Sequence, residues 1–482
     1  FPTRRSSDLA GRWRGTYGGA GYWIAGQPAK LPDDVHVKPR RFPARRVAHG
    51  AGSAPRIIAA LWMYLLTEAP EQREHLMRLV DLEIGTDRWG NRPAECSGHP
   101  GRLLRRVDID QFYFHTIAAV AEVYDTLFTE LTADQRARIG RWLHDALQHY
   151  AGKVRGNDWW FAKNPSNTVA VGNSCGGIAA LALRHSTPGS AELIDLAVKT
   201  IDDRFKAITP DGGCVEGPLY WNYALAYQMR FGQALRNVTG DDRGLLSSDR
   251  IRNSYRFVET MLGGDGTMFT FNDTNPMLTG AVIAASLDGA DDSPRPELMR
   301  WLVDEIMTDR ARTWPESGYA TVRDDALVYS LLFRSGAKAP DTFPGVPTLT
   351  YLKTLQWGAM RSDGDSFMPN LVVGVKGRGG PTTHHAQDDL GSFVLYANGE
   401  NYLIDPGYYE TKADLHNALL IDGAGPQAKG QATIINAWET ETRRSMAVDL
   451  QEAYRKKLPG LRRHIVMDGD RAVVLLDEVP EG

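Results

Sequence analysis

The chain has 482 residues, 42% of them hydrophobic and 24% charged. That is too long for one hydrophobic core and too apolar for a disordered or fibrous chain, so two or more globular domains are expected. The net charge of −4 supplies no global basic field to gather a nucleic acid, and an anionic ligand must be met by local clusters such as Arg102, Arg105 and Arg106, or Lys376 and Arg378.

Phe1–Leu9 carry neither an initiator Met nor an apolar signal core; they read as a fragment edge and are set aside. Cys96, Cys175 and Cys214 are far apart and form no CxxC, which argues against both a zinc ribbon and a disulfide scaffold. No apolar run is long enough to cross a membrane. From about Pro55 to Phe333 the apolar residues repeat at helical spacing. The periodicity predicts helices from residue 55, at 71–84 and at 109–128, and from Ala133 to about Tyr150. Thr132-Ala133-Asp134-Gln135 forms a capping box at the head of the last. Further helices are expected at 168–185, 190–207, 219–237, 247–262, 278–287, 295–309 and 323–335. So many paired helices suggest an incomplete α/α toroid over residues 10–337.

At 338–347, Lys-Ala-Pro-Asp-Thr-Phe-Pro-Gly-Val-Pro reads as a linker, and the period then changes to two. Short strands are expected at 348–352, 357–361, 371–376, 392–397, 401–404, 417–421, 446–450, 463–467 and 471–477, which predicts an antiparallel β-sandwich over 348–482, clipped at its C-terminal end. A cleft between the two domains is the default place for a ligand.

Four polar stretches carry the candidate chemistry. The first is Thr383-His384-His385-Ala386-Gln387-Asp388-Asp389-Leu390-Gly391-Ser392-Phe393. It is followed by an Asn398-Gly399 hairpin turn and a strand that delivers Asp405 into Pro406-Gly407-Tyr408. The second runs from Asn157-Asp158-Trp159-Trp160 through Asn164-Pro165-Ser166-Asn167 to Asn173, Gly176 and Gly177. Asn167 stands where a helix N-cap would, while Asn173 and the glycines, further along the helix, suggest close approach of a partner or ligand. The third, Asp211-Gly212-Gly213-Cys214-Val215-Glu216-Gly217-Pro218, leads into Tyr220 and Tyr223 at helical spacing. The fourth, Phe269-Thr270-Phe271-Asn272-Asp273-Thr274, reads as a loop that braces the others.

Together these stretches resemble the heparinase II/III-like polysaccharide lyases, which include heparan sulfate and alginate lyases, and the resemblance covers most of the chain. It implies an α/α toroid followed by an antiparallel sandwich. It also implies cleavage of a uronic-acid polysaccharide by β-elimination, with Asn167 neutralising the substrate carboxylate and Tyr220 and His385 moving protons. Around these it implies a substrate-binding set of Asn173, Glu216, Tyr223, His384, Trp159, Trp160 and Tyr408. Tyr223 is the alternative to Tyr220 if the register differs. Asp405 matches a zinc ligand of some relatives and His416 is a further candidate. Gln387, however, stands where those relatives have a second His, so weak or no zinc is expected and no other cofactor is needed. The partner is an anionic poly- or oligosaccharide, and the resemblance places such a protein in the periplasm or outside the cell. Two other readings stay open. One is a glycoside hydrolase using Glu216 with Asp273 or Asp158; the other is a carbohydrate-binding protein without turnover.

Overall fold

The computed structural model describes residues 53–85, 111–305 and 329–479, apart from 278–279, 291, 331, 382, 384, 409–411, 428–429 and 455–457. Cys96, the basic cluster at 102–106, His384 and most of the expected helix at 323–335 lie outside the described residues.

The first part of the described chain is helical. Its helices are α1 (Ser53–Thr67), α2 (Pro70–Gly85), α3 (Gln111–Thr126), α4 (Ala133–Arg155), α5 (Asn167–Ala182), α6 (Ser190–Arg204), α7 (Pro218–Thr239), α8 (Asp249–Arg252), α9 (Ser254–Met261), α10 (Ala281–Asp288) and α11 (Pro296–Glu305). The capping box forms as read. Gln135 N donates to Thr132 Oγ1 at 3.2 Å, and Thr132 N donates to Gln135 Oε1 at 3.0 Å. Helix α4 runs past Tyr150 to Arg155, because Ala151 and Val154 continue its buried face. The helix expected at 247–262 breaks into α8 and α9 at Asn253, whose side chain donates to Pro210 O.

Helix α5 is the axis of this layer and packs against α3, α6 and α7. Nearly all of it is buried, as its small residues allow. A Cβ on Gly177 would lie 2.3 Å from the Phe231 ring, on Gly172 2.6 Å from Phe161, and on Gly176 2.7 Å from Tyr150. The close approach expected at these glycines is therefore made by the protein's own aromatic rings. Asn173 is corrected with them. Its Nδ2 donates to Phe161 O and Val169 O, its Oδ1 accepts from Tyr150 Oη at 2.8 Å, and it is fully buried. All three bonds are internal, so in this structure Asn173 braces the helix.

The second part is two antiparallel sheets. The first has the order β1 (Leu349–Leu352), β2 (Trp357–Arg361), β3 (Leu371–Lys376), β4 (Phe393–Ala397) and β5 (Glu400–Leu403). The other has the order β6 (Thr433–Glu439), β7 (Arg443–Asp449), β8 (Arg462–Asp468) and β9 (Ala472–Glu478). Every strand pairing among the described residues is antiparallel. The strand expected at 417–421 does not form. Asn417 instead spends its side-chain amide on Phe393 O and Ile404 O, at 2.8 and 3.0 Å. Strand β6 went unpredicted; of its seven residues only Ile434 is buried, so it leaves almost no alternation to read.

Strands β2 and β3 are buried along their whole length, as expected of a sheet covered on both faces. Trp357, Ala359, Val372, Val394 and Tyr396 join the core of the helical layer. Met360, Val373, Val375 and Phe393 join a second core with Met446, Val448 and Ile465 of the other sheet. The first sheet is thus the middle layer of three, and its loops reach the helical layer. The β4–β5 turn is the expected one, with Asn398 and Gly399 both in the left-handed region at φ 51° and 79°.

Candidate active site

The site lies where the heads of α5 and α7 meet the β3–β4 and post-β5 loops of the sandwich. Ser166, not Asn167, is the N-cap residue of α5, and its side chain makes no capping bond. The cap comes from a distant segment. Glu216 accepts from Asn167 N at 2.7 Å through Oε2 and from Asn167 Nδ2 at 3.2 Å through Oε1. A carboxylate at a helix N-terminus is favoured by the unpaired N–H groups and the helix dipole. Burial nevertheless dominates here: it raises Glu216 from 4.5 to about 7, against the bonds from Asn167 and with a further push from Asp273. Asn167 is itself buried, and its Oδ1 has no hydrogen-bond partner.

Gly217, at φ 93°, makes the turn from Glu216 into α7; a Cβ there would lie 2.5 Å from Phe271 O. Pro218 opens the helix, and Tyr220 follows on its first turn. The Tyr220 ring stacks on the His385 ring, centroids 3.5 Å apart at 20°, and its hydroxyl lies 2.5 Å from Tyr408 Oη. Burial, the bond to Tyr408 and the nearby carboxylates Asp273 and Glu216 all hold the Tyr220 phenol far above its ordinary value. Tyr223 points elsewhere: its hydroxyl bonds His115 Nε2 at 2.7 Å, and its ring centroid is 6.5 Å from that of Tyr220. Of the two tyrosines, Tyr220 is the one paired with His385.

His385 is held on one side by Asp273, whose Oδ2 lies 2.8 Å from Nδ1. On the other side, Nε2 lies 3.9 Å from Glu216 Oε1. Gln387 Nε2 donates to Asp273 Oδ1 at 3.1 Å and to Gly407 O at 2.9 Å. In the sequence Asp273 stands in the loop read as bracing the other stretches and as half of the alternative hydrolase pair; its place beside His385, far along the chain, has no local signal. His115, on α3, carried no signal either. Trp159 and Trp160 are exposed on a short π-helix, Trp159–Lys163, that leads into Asn164 and α5.

The Asp405 side chain bonds within the sandwich. Its Oδ1 accepts from Gly407 N, and its Oδ2 lies 3.1 Å from His416 Nδ1. Asp389 completes a buried trio, with one donor atom from each residue within 4.8 Å of the others. Lys376 of β3 bonds Asp389 directly and Asn272 Oδ1 at 2.6 Å. Burial opposes the charge on Asp389, but Lys376 and His416 outweigh it and hold the carboxyl below its ordinary range. Burial also opposes the charge on His416, and the bond to Asp405 with the charges of Asp389 and Asp405 pushes it up overall. Lys376 and His416 are the cationic partners of the two carboxylates, and a dication there would have to displace a proton from His416 and compete with Lys376 for Asp389. The trio offers one nitrogen and no sulfur, and the Gln387 amide nitrogen donates elsewhere. This donor set lacks the second histidine that the resemblance gives to the structural zinc, Gln387 standing in its place.

Residues 356–482 match the family model described as heparinase II/III-like, C-terminal. Among solved structures, heparinase III aligns at 14% identity and TM-score 0.58, over 87% of this chain and 61% of that one. The heparan sulfate lyase HepC from Pedobacter heparinus aligns at 13% and 0.56, over 87% and 60%. The heparinase III from the BT4657 gene aligns at 12% and 0.56, over 88% and 66%. The chain thus spans about three-fifths of the length of the first of these, and at such identities the likeness is one of fold: a helical toroid followed by a β-sandwich. No curated protein sequence matches the chain. The resemblance read from the motifs agrees with the family model and with these structures. No helix among the described residues is long and apolar enough to cross a membrane.

Proposed function

We propose that this chain, with its heparinase II/III-like sandwich domain, is a lyase that cleaves a uronic-acid-containing poly- or oligosaccharide by β-elimination. The observation that carries the reading is the Tyr220–His385 stack, which joins a toroid residue to a sandwich residue beside the head of α5. The C5 proton of a uronate becomes removable when its carboxylate is neutralised. The Asn167 amide, fixed by Glu216, supplies a donor for that carboxylate and for the charge that develops on it. A charged Glu216 behind Asn167 would repel the substrate. Burial keeps it protonated up to about pH 7.

The roles of base and acid follow from the environment. The raised phenol of Tyr220 stays protonated and is no ground-state base, so His385 takes the C5 proton, and Tyr220, which still holds its proton, gives it to the departing O4 as charge develops there. Electrons from the broken C–H bond form the new double bond as the C4–O4 bond breaks. Tyr408 orients Tyr220 through its hydroxyl, and Trp159 and Trp160 offer exposed faces for sugar rings. No step runs through a metal. A substrate of this kind accords with a periplasmic or secreted location, which cell fractionation tests.

The hydrolase reading needs two carboxylates flanking a glycosidic bond. Here the His385 imidazole stands between Asp273 and Glu216, in the place the bond would occupy. Incubation with heparan sulfate, hyaluronan and alginate decides the class of chemistry. A lyase generates an ultraviolet-absorbing unsaturated uronate end on at least one of them. Reducing ends without that absorbance would establish a hydrolase instead.

A further inference from the structure

We infer that Asp273 is a positioning residue: it fixes His385 as the Nδ1–H tautomer, so that Nε2 carries the lone pair toward Glu216 and the head of α5. The proton on an imidazole follows the hydrogen bond its other nitrogen makes. Asp273 Oδ2, 2.8 Å from Nδ1, can only accept when ionised. Nδ1 is therefore the protonated nitrogen of the neutral ring.

The surroundings of Asp273 are built to hold it there. Asn272, its neighbour, sits in the left-handed region at φ 61°. Asn272 Nδ2 donates to Val215 O at 2.8 Å, next to Glu216, and its Oδ1 accepts from the buried Lys376 ammonium. Gln387 Nε2 fixes the second Asp273 oxygen. Tyr408 N donates to Thr274 O on the far side of the loop. The segment Asn272–Thr274 of the toroid is thus tied to the Glu216 turn and, besides His385, to Lys376, Gln387 and Tyr408 of the sandwich. A hydrogen-bonded carboxylate that only filled space would not need this bracing.

The inference rests on the proposed lyase only for its kinetic arm. The primary measurement needs no substrate: nitrogen-15 spectra of protein labelled in its histidine rings, recorded near pH 8, with His385 identified by the signals lost in His385→Gln. We expect a protonated-type Nδ1 and a lone-pair-type Nε2 for His385 in the wild type. In Asp273→Asn the amide can donate to Nδ1, and the two signals should exchange character wholly or in part. A wild-type His385 protonated at Nε2, or an Asp273→Asn variant with unchanged tautomer, overturns the inference. Because the wild-type spectrum is decisive alone, an Asp273→Asn variant that fails to fold does not rescue it. In the kinetic arm, on heparan sulfate or alginate, Asp273→Asn should lower kcat by about 10²–10⁴-fold, the scale of a lost general base, with KM little changed. Asp273→Glu should recover part of the loss. An intact tautomer in a wild type that turns over neither polymer counts against the lyase reading and leaves the positioning role standing. An equal kcat in Asp273→Asn and wild type refutes the role.

Discussion

Glu216 is the residue whose physics is most exposed to test. Its carboxyl is buried and raised from 4.5 to about 7, so folding favours the protonated form. The corresponding stability is fully present below about pH 4.5 and is lost as pH rises through about 7. The whole gap is worth about 3 kcal/mol. By linkage, about 2.5 kcal/mol of it falls between about pH 5 and about pH 8. Glu216→Gln keeps the shape and removes the titration. Urea unfolding at those two pH values should therefore show the wild type losing about 2.5 kcal/mol more than the variant. The same protonation governs substrate binding in the proposed mechanism, so wild-type KM should rise above about pH 7 and the variant should show a flatter profile. Equal pH dependence of stability in the two proteins would refute the buried, protonated Glu216. Loss of nearly all turnover in Glu216→Gln would restore the hydrolase.

Three further outcomes follow from the geometry. Tyr220→Phe keeps the stack on His385 and removes the hydroxyl, so kcat should fall about 10²–10⁴-fold with binding little changed; Tyr223→Phe, which removes the bond to His115, should fall far less, and the reverse order would move the acid to Tyr223. Gly177→Ala places a methyl 2.3 Å from the Phe231 ring and should destabilise the toroid by about 1–3 kcal/mol, seen as a lower urea midpoint. Elemental analysis after chelator-free purification should find zinc well below one per chain, and stoichiometric zinc would contradict the Lys376-balanced cluster.

The architecture was legible because it rests on local signals. Helical spacing, the Thr132–Gln135 capping box, the Asn398-Gly399 turn and the change of period near residue 340 all survive in the fold. Strands β2 and β3 form at the positions read from the change of period, although their burial does not alternate because both faces are covered. Strand β6 and the false strand at 417–421 were not, because one has a single buried residue and the other is decided by where the Asn417 amide goes. In the site, the pairing of Tyr220 with His385 could be named from motifs. The contribution of Asp273, Lys376 and His115 is set by contacts across more than a hundred residues, which no local pattern encodes. Asn173 shows the opposite error. A polar residue in a small-residue helix looks like a ligand site, yet three internal bonds consume it.

The central claim is elimination at a uronate, and the most direct measurement follows the oxygen of the new chain end. Cleavage of the responsive polymer is run in heavy-oxygen water and the fragments are weighed by mass spectrometry. If His385 and Tyr220 act as base and acid, the two ends form without water: the fragment that carries the new, unsaturated non-reducing end is lighter by one water than a hydrolysis product, and no heavy oxygen enters at cleavage. Fragments of full hydrolytic mass that carry heavy oxygen at the new end would contradict the account.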